Sequence, residues 1–407
     1  MTISADDLKR RLLSTLVQHT AAEDDPIRDL SAQDWAMIDG FAAQHRLRPM
    51  LQHLQNQQTL PWSLPAPTAV AWQEAYRRAT GRLLRHLAVM VELARRFDTA
   101  GIHYAFLKGS TLATGPYPDP AVRALRDLDV LIAPGQTDQA FALLAGPAGF
   151  LPRSQISRLA PEDYSTHKHL EPLHCPRRKV TVELHRRLAD NPIASAGRDI
   201  LFDPDRLLAA TRTRLVGDTS VRFLDWPETL LHLITHAVHD HQLNNGPLIL
   251  TDVQVLLTRT PLDLDRFWQL ASEAGRVPAA ALIFAMVDRL GGLPGLNRQP
   301  AQQFMLLSPT VIDAGNLMLL QDTGRSLAVG SWTKLQSGGS IRASATLIRD
   351  RWRHLNQTAL RADSVYTDQR LSIWQRGRAM FMALLNAKDR NEIRRSKAVN
   401  GWLKHPR

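Results

Sequence analysis

Apolar positions recur at helical spacing through the first hundred residues. Leu8, Leu12, Leu13, Leu16 and Val17 form one stripe, and Ala79, Leu83, Leu84, Leu87, Val89, Val91 and Leu93 form another, with a proline-rich break from Pro61 to Pro67. From residue 100 the period shortens. Ile102 to Leu107 reads as a strand, as do Leu125 to Ile132 and Val180 to His185, and Thr137 to Leu144 predicts a helix among them. The polar segment Cys175-Pro176-Arg177-Arg178-Lys179, following His169 to His174, predicts a hairpin whose second strand is 180–185. After Asp190 the helical period returns, with helices expected at Pro204–Thr211, Pro227–Val238, Leu248–Leu257, Leu264–Ala274 and Ala279–Leu290. The Gly- and Ser-rich stretch Gly330–Ser340 predicts a linker. The expected class is α+β: a small mixed-sheet core at 100–190, embedded between a helical N-terminal region 1–99, a helical region 191–330 and a basic helical region 331–407.

Two carboxylates interrupt the apolar run Leu125-Arg126-Asp127-Leu128-Asp129-Val130-Leu131-Ile132. Residues two apart on a strand share a face, so Asp127 and Asp129 point together while Leu128, Val130 and Ile132 face the opposite, buried side. Like charges so placed require a divalent cation, an Arg partner or solvent. In Val180-Thr181-Val182-Glu183-Leu184-His185 the valines and Leu184 occupy one face, and Thr181, Glu183 and His185 the other, which offers a third carboxylate. Upstream, the strand ending at Leu107 runs directly into Lys108-Gly109-Ser110-Thr111. Glycine at a strand-to-helix turn lets a ligand approach the backbone, and helix-start amides favour phosphate. A phosphate-cradling turn, an Asp-x-Asp strand and a separate acidic strand together suit a metal-bound triphosphate.

These residues resemble the polymerase beta-type nucleotidyltransferase superfamily. Within it, the chain resembles an uncharacterised bacterial nucleotidyltransferase family through Leu107-Lys108-Gly109, Tyr117-Pro118-Asp119-Pro120-Ala121-Val122-Arg123, Asp127-Leu128-Asp129 and Glu183-Leu184-His185, with Gln44-His45-Arg46-Leu47-Arg48-Pro49 upstream. The resemblance implies transfer of a nucleoside monophosphate from an NTP, ATP by default of abundance, to a hydroxyl of an acceptor, with Mg²⁺ or Mn²⁺. It implies Asp127, Asp129 and Glu183 as catalytic metal ligands and Lys108, Gly109, Ser110 and Arg123 around the nucleotide; Arg123 could instead neutralise Asp127 or Asp129. The acceptor could be a peptide, a protein, a sugar or an RNA. Removing either Asp is expected to abolish turnover and leave the fold intact.

A cluster of His232, His236, His239, Asp240 and His241, followed by Asp252, adds a second chemistry. Such residues are ingredients of HD-type metal phosphohydrolases. Alternatively, His236 and Asp252 make an interhelical hydrogen bond or, with His185, line an acceptor pocket. A catalytically inactive nucleotide- or peptide-binding module is the non-enzymatic alternative.

Composition narrows the setting. The 407 residues are 44% hydrophobic and 22% charged, ordinary for a globular protein. The net charge of +11 belongs to the tail: 15 of the 50 Lys and Arg, but only 5 of the 39 Asp and Glu, lie from Ile341 onward. With Trp352, Tyr366, Trp374, Phe381 and Trp402 interleaved, this region is a candidate for nucleic acid or an acidic partner. Cys175 is the one cysteine, no apolar run reaches about 18 residues, and the start lacks a basic and apolar leader; a cytoplasmic protein without a membrane span is expected.

Overall fold

The period-2 segments pair into one seven-stranded mixed sheet. In chain order the strands are β1 (Tyr104–Phe106), β2 (Asp127–Ile132), β3 (Leu151–Pro152), β4 (Leu173–Cys175), β5 (Val180–His185), β6 (Thr211–Val216) and β7 (Thr219–Leu224), arranged β3-β4-β5-β2-β1-β7-β6. The computed structural model describes residues 3–21, 27, 30–156, 164–165, 167–190, 199–293, 307–321 and 387–404. The predicted linker 330–340 and the aromatics Trp352, Tyr366, Trp374 and Phe381 lie outside the described residues. The chain divides into two compact units, one of residues 1–242 and 247–297, the other of 243–246 and 298–407.

In the first unit the helices are α1 (Ala5–Gln18), α2 (Ala32–Gln44), α3 (Arg48–Asn56), α4 (Ala66–Thr99), α5 (Lys108–Ala113), α6 (Thr137–Ala145), α7 (Arg153–Ile156), α8 (Pro204–Ala209), α9 (Trp226–Thr235), α10 (Leu248–Arg259), α11 (Leu264–Glu273) and α12 (Val277–Arg289). Capping chemistry starts several of them: Ser4, Ser31 and Asp263 each accept a backbone N–H from the first turn of α1, α2 and α11. Pro67 opens the 34-residue α4, where a missing N–H costs nothing. In the second unit the helix Pro309–Leu319 is capped by Ser308, and the helix Ala387–Lys404 is the described part of the basic tail.

The strand faces divide as the alternation predicts. Tyr104, Phe106, Leu128, Val130, Ile132, Val180, Val182, Leu184, Val221 and Phe223 bury one face against Val89, Met90, Leu93 and Phe97 of α4 and Ala140 and Leu144 of α6. Burial of this face is the hydrophobic source of the sheet's stability. The other face of β2 and β5 therefore receives Asp127, Asp129, Glu183 and His185. β2 and β5 run parallel with Asp127 opposite Thr181, Asp129 opposite Glu183 and Leu131 opposite His185. A one-residue slip would send every carboxylate into the core, so the apolar set pins the register of the polar one.

The sheet extends past residue 190, beyond the range expected for the core. β6 and β7 form an antiparallel hairpin around Gly217-Asp218, with Gly217 at φ +64°, and β7 pairs in parallel with β1. The two-residue Gly-Asp turn is a hairpin signal, but Arg212, Arg214 and Arg222 mask the apolar alternation around it. The hairpin Leu173–His185 forms as expected, with Lys179 in the left-handed region at the end of its turn. The core face makes a direct prediction. Leu128→Ala should lower the free energy of unfolding by about 2–5 kcal/mol, whereas Leu215→Ala, at a side chain 67% exposed on β6, should stay within about 0.5 kcal/mol; paired urea titrations compare them.

Candidate active site

β2 and β5 deliver their carboxylates side by side because they are parallel neighbours in register. Ligand atoms of Asp129, Glu183 and His185 all lie within 4.8 Å of one another, one metal-capable group among the described residues. Asp129 is almost fully buried and accepts two hydrogen bonds on the same oxygen: Lys108 Nζ lies 2.6 Å and His185 Nε2 2.8 Å from Oδ1. Glu183, with 18% of its side chain exposed, is the more open of the two and has His185 Nε2 at 3.9 Å and His169 Nε2 at 4.0 Å. Asp127 shares the face one register step away.

The electrostatics follow from this crowding. Burial alone would raise the pKa of Asp129, but Lys108 and His185 hold it far below the ordinary carboxylate value. Asp127 goes the other way: burial and repulsion from Asp129 raise it, only partly offset by Lys108, Arg126 and Arg46. Burial also opposes the charge on Lys108, yet Asp129, Glu183 and Asp127 keep its pKa above that of a free lysine. The ammonium thus neutralises the carboxylate cluster. Its backbone adopts φ +51°, left-handed for a non-glycine residue, at a cost of about 1–2 kcal/mol.

The turn after β1 uses its small residues internally. A Cβ on Gly109 would lie 2.9 Å from Leu125 Cδ2 and 3.5 Å from Arg123 Nη1, so the glycine admits its own neighbours. Ser110 is buried, and its hydroxyl donates to the Leu107 carbonyl at 2.6 Å. Arg123 is paired with neither Asp127 nor Asp129. Its guanidinium forms a bidentate pair with Asp252 at 2.7 and 2.8 Å, and Asp252 also accepts from Tyr117 at 2.7 Å. The expected His236–Asp252 hydrogen bond is therefore replaced: Asp252 belongs to Arg123, and His236 Nδ1 reaches Asp240 Oδ2 at 3.3 Å. The ingredients of an HD-type site are likewise separated by these pairings and form no metal-capable group among the described residues.

The His-rich segment nevertheless belongs to the site. α9 continues into a π-helical turn, His236–Asp240, a feature frequent at functional sites. Asp240 pairs with the buried Lys168, which Asp190 also approaches at 3.8 Å. Burial, then Lys108, His185 and Lys168, drive the pKa of His232 well below the ordinary value; burial, Lys108, His241 and Lys168 do the same for His236. His169 joins because its segment bridges to β5 at His185, with the two rings 5.4 Å apart. Burial and His185 press its pKa down to about 4. Lys168 and His169 were not legible as site residues in the sequence; the run His167-Lys168-His169 was their only signal.

The oxygen donors suit a hard divalent cation, which takes few carboxylates and completes its shell with phosphate and water. His185 fits a different role. Its Nε2–H donates to Asp129, while its Nδ1 is buried without a hydrogen-bond partner, whereas a metal-ligating histidine normally donates its second nitrogen to an acceptor. His185 is accordingly the group that orients Asp129.

Two predictions come from these pairings. Arg123→Met should cost about 3–5 kcal/mol, because Asp252 is left buried and unpaired, and Arg123→Met with Asp252→Asn should recover much of that loss in urea titrations; unchanged stability of the single variant would instead leave Arg123 available to a ligand. The second concerns acid. Burial lowers the pKa of eight histidines, with His19, His169 and His239 at about 4 and His86, His174, His185, His232 and His236 also depressed. Below the ordinary value of about 6.5 the unfolded chain binds protons that the folded chain refuses, so stability falls as pH falls. The raised pKa values of Asp127, Glu228 and Asp240 oppose this, three groups against eight. The thermal midpoint should hold above about pH 7.5 and drop steadily between pH 7 and pH 5.

No helix of the described residues is long and apolar enough to cross a membrane. No curated protein and no solved structure matches the chain. The sheet with its Asp-x-Asp strand, its parallel acidic neighbour and its Lys-Gly-Ser turn lies within residues 31–292, which match the model of a family described as uncharacterised nucleotidyltransferases, and the chain belongs to that family.

Proposed function

We propose that the protein transfers a nucleoside monophosphate from an NTP to a hydroxyl of its acceptor and releases pyrophosphate. The observation that carries this reading is the register that sets Asp129 opposite Glu183 on parallel strands, beside a buried lysine. Asp127, Asp129 and Glu183 would hold Mg²⁺ or Mn²⁺, which when bound lowers the pKa of an attacking hydroxyl and stabilises charge on the transferring phosphorus. Asp129 is held by His185, whose Nε2–H fixes one of its oxygens. Glu183, the more exposed carboxylate, is placed to take the proton of the acceptor hydroxyl. That oxygen then bonds to the α-phosphorus as the bond to the β-phosphate oxygen breaks, and pyrophosphate leaves. Lys108 is the cation available to the phosphates. Arg123 and Ser110 act at one remove, the first by locking Asp252 and Tyr117, the second by tying down the start of α5. The histidines His232 and His236, their pKa values depressed by burial, and the Lys168–Asp240 pair support an acceptor site beside them.

The test is incubation with Mg²⁺ and each labelled NTP, reading pyrophosphate release and label on the acceptor. Asp127→Asn should abolish transfer, by at least about a hundredfold, with the thermal midpoint little changed. Asp129→Asn should abolish transfer and also destabilise the protein, because Lys108 then stays buried without its counter-charge. This revises the expectation that either Asp can be removed at no cost to the fold. Full transfer activity in Asp127→Asn rules out its assigned role.

A further inference from the structure

Lys108 occupies the place of a cation. Its Nζ sits 2.6 Å from Asp129 Oδ1, the same oxygen that receives His185 Nε2 at 2.8 Å, and only 13% of its side chain is exposed. Asp127 and Glu183 add to the field on the ammonium. A divalent ion bound between Asp129 and Glu183 cannot share that oxygen with an ammonium, because the two cations would stand within contact distance in a low-dielectric setting. Metal entry therefore requires Lys108 to leave. An ammonium leaves a buried carboxylate only for another anion, and the anion that the proposed reaction brings is the polyphosphate chain of the nucleotide.

Resting on the nucleotidyltransferase reading, we propose that Lys108 is the resident counter-cation of the carboxylate site, and that nucleotide phosphates draw it off Asp129 so that nucleotide and divalent cation enter together. Metal alone then binds weakly, since it must displace an ammonium that has nowhere to go. Nucleotide alone gives Lys108 a new partner and leaves the carboxylates uncompensated. Each ligand raises the affinity of the other by the same factor, as reciprocity demands.

The full chain and Lys108→Met are titrated with Mn²⁺ at pH 8, with and without α,β-methylene-ATP, which cannot transfer its nucleoside monophosphate; free Mn²⁺ is read by electron paramagnetic resonance, and Mn²⁺ chelated by the nucleotide is subtracted by means of a titration without protein. The wild type should bind Mn²⁺ at least about tenfold more tightly with the nucleotide than without it. Lys108→Met should bind Mn²⁺ alone at least about tenfold more tightly than the wild type, and the nucleotide should add little. Asp129→Asn should lose the tight site in either background. If Lys108→Met fails to fold, Lys108→Gln tests the same direction. Equal affinity of the wild type and the lysine variant for Mn²⁺ alone overturns the role given to Lys108, while nucleotide-dependent Mn²⁺ binding in both would leave the nucleotidyltransferase reading standing. Failure of every form to bind Mn²⁺ in the presence of nucleotide overturns that reading, and this one with it.

Discussion

The parallel pairing of β2 with β5 is the constraint from which the site follows. It buries Leu128, Val130, Val182 and Leu184 on one side, and by the same register it forces Asp129 and Glu183 together on the other. Hydrophobic burial is what makes this tolerable. The apolar face contributes enough to hold the strands in one register, and like-charged carboxylates are kept at a separation they would not choose. The repulsion is met locally by Lys108, by His185 and by the raised pKa of Asp127.

Around that pair the protein satisfies its other buried charges separately. Arg123, Asp252 and Tyr117 form one closed network that fastens the loop before β2 to α10. Lys168 and Asp240 form another, tying the segment before β4 to the π-helical turn after α9. Charges paired in this way anchor elements and leave Asp129, Glu183 and His185 as the metal-capable group among the described residues. The neutral histidines that line this side act as polar surfaces without adding positive charge near Lys108. They make the site sensitive to acid.

The segment that matches the nucleotidyltransferase family contains the whole of this arrangement. Lys108, in the Lys-Gly-Ser turn, is paired with Asp129. Gly109 and Ser110, by contrast, are consumed locally: the first makes room for Leu125 and Arg123, and the second donates its hydroxyl to the Leu107 carbonyl.

Alternation along 127–132 and 180–185 was sufficient to say which side chains share a face, because the strand period is a local property of the backbone. Helical spacing was sufficient also for the helices from Thr137 and Leu248, whose apolar residues recur three and four apart. The hairpin Thr211–Leu224 escaped because arginines on its exposed edge blur the same alternation. Partners across the fold were beyond reach for a different reason. Arg123 could neutralise any nearby Asp as far as local sequence goes, and only the packing of α10 selects Asp252 over Asp127. His236, by contrast, meets Asp240 four residues on, a pair that helical spacing alone brings onto one face. The chain by itself determined which residues are acidic, which face they take and what family they resemble. The tertiary structure decided which charge answers which, since that depends on strand order and helix packing between residues as far apart as Asp129 and His185.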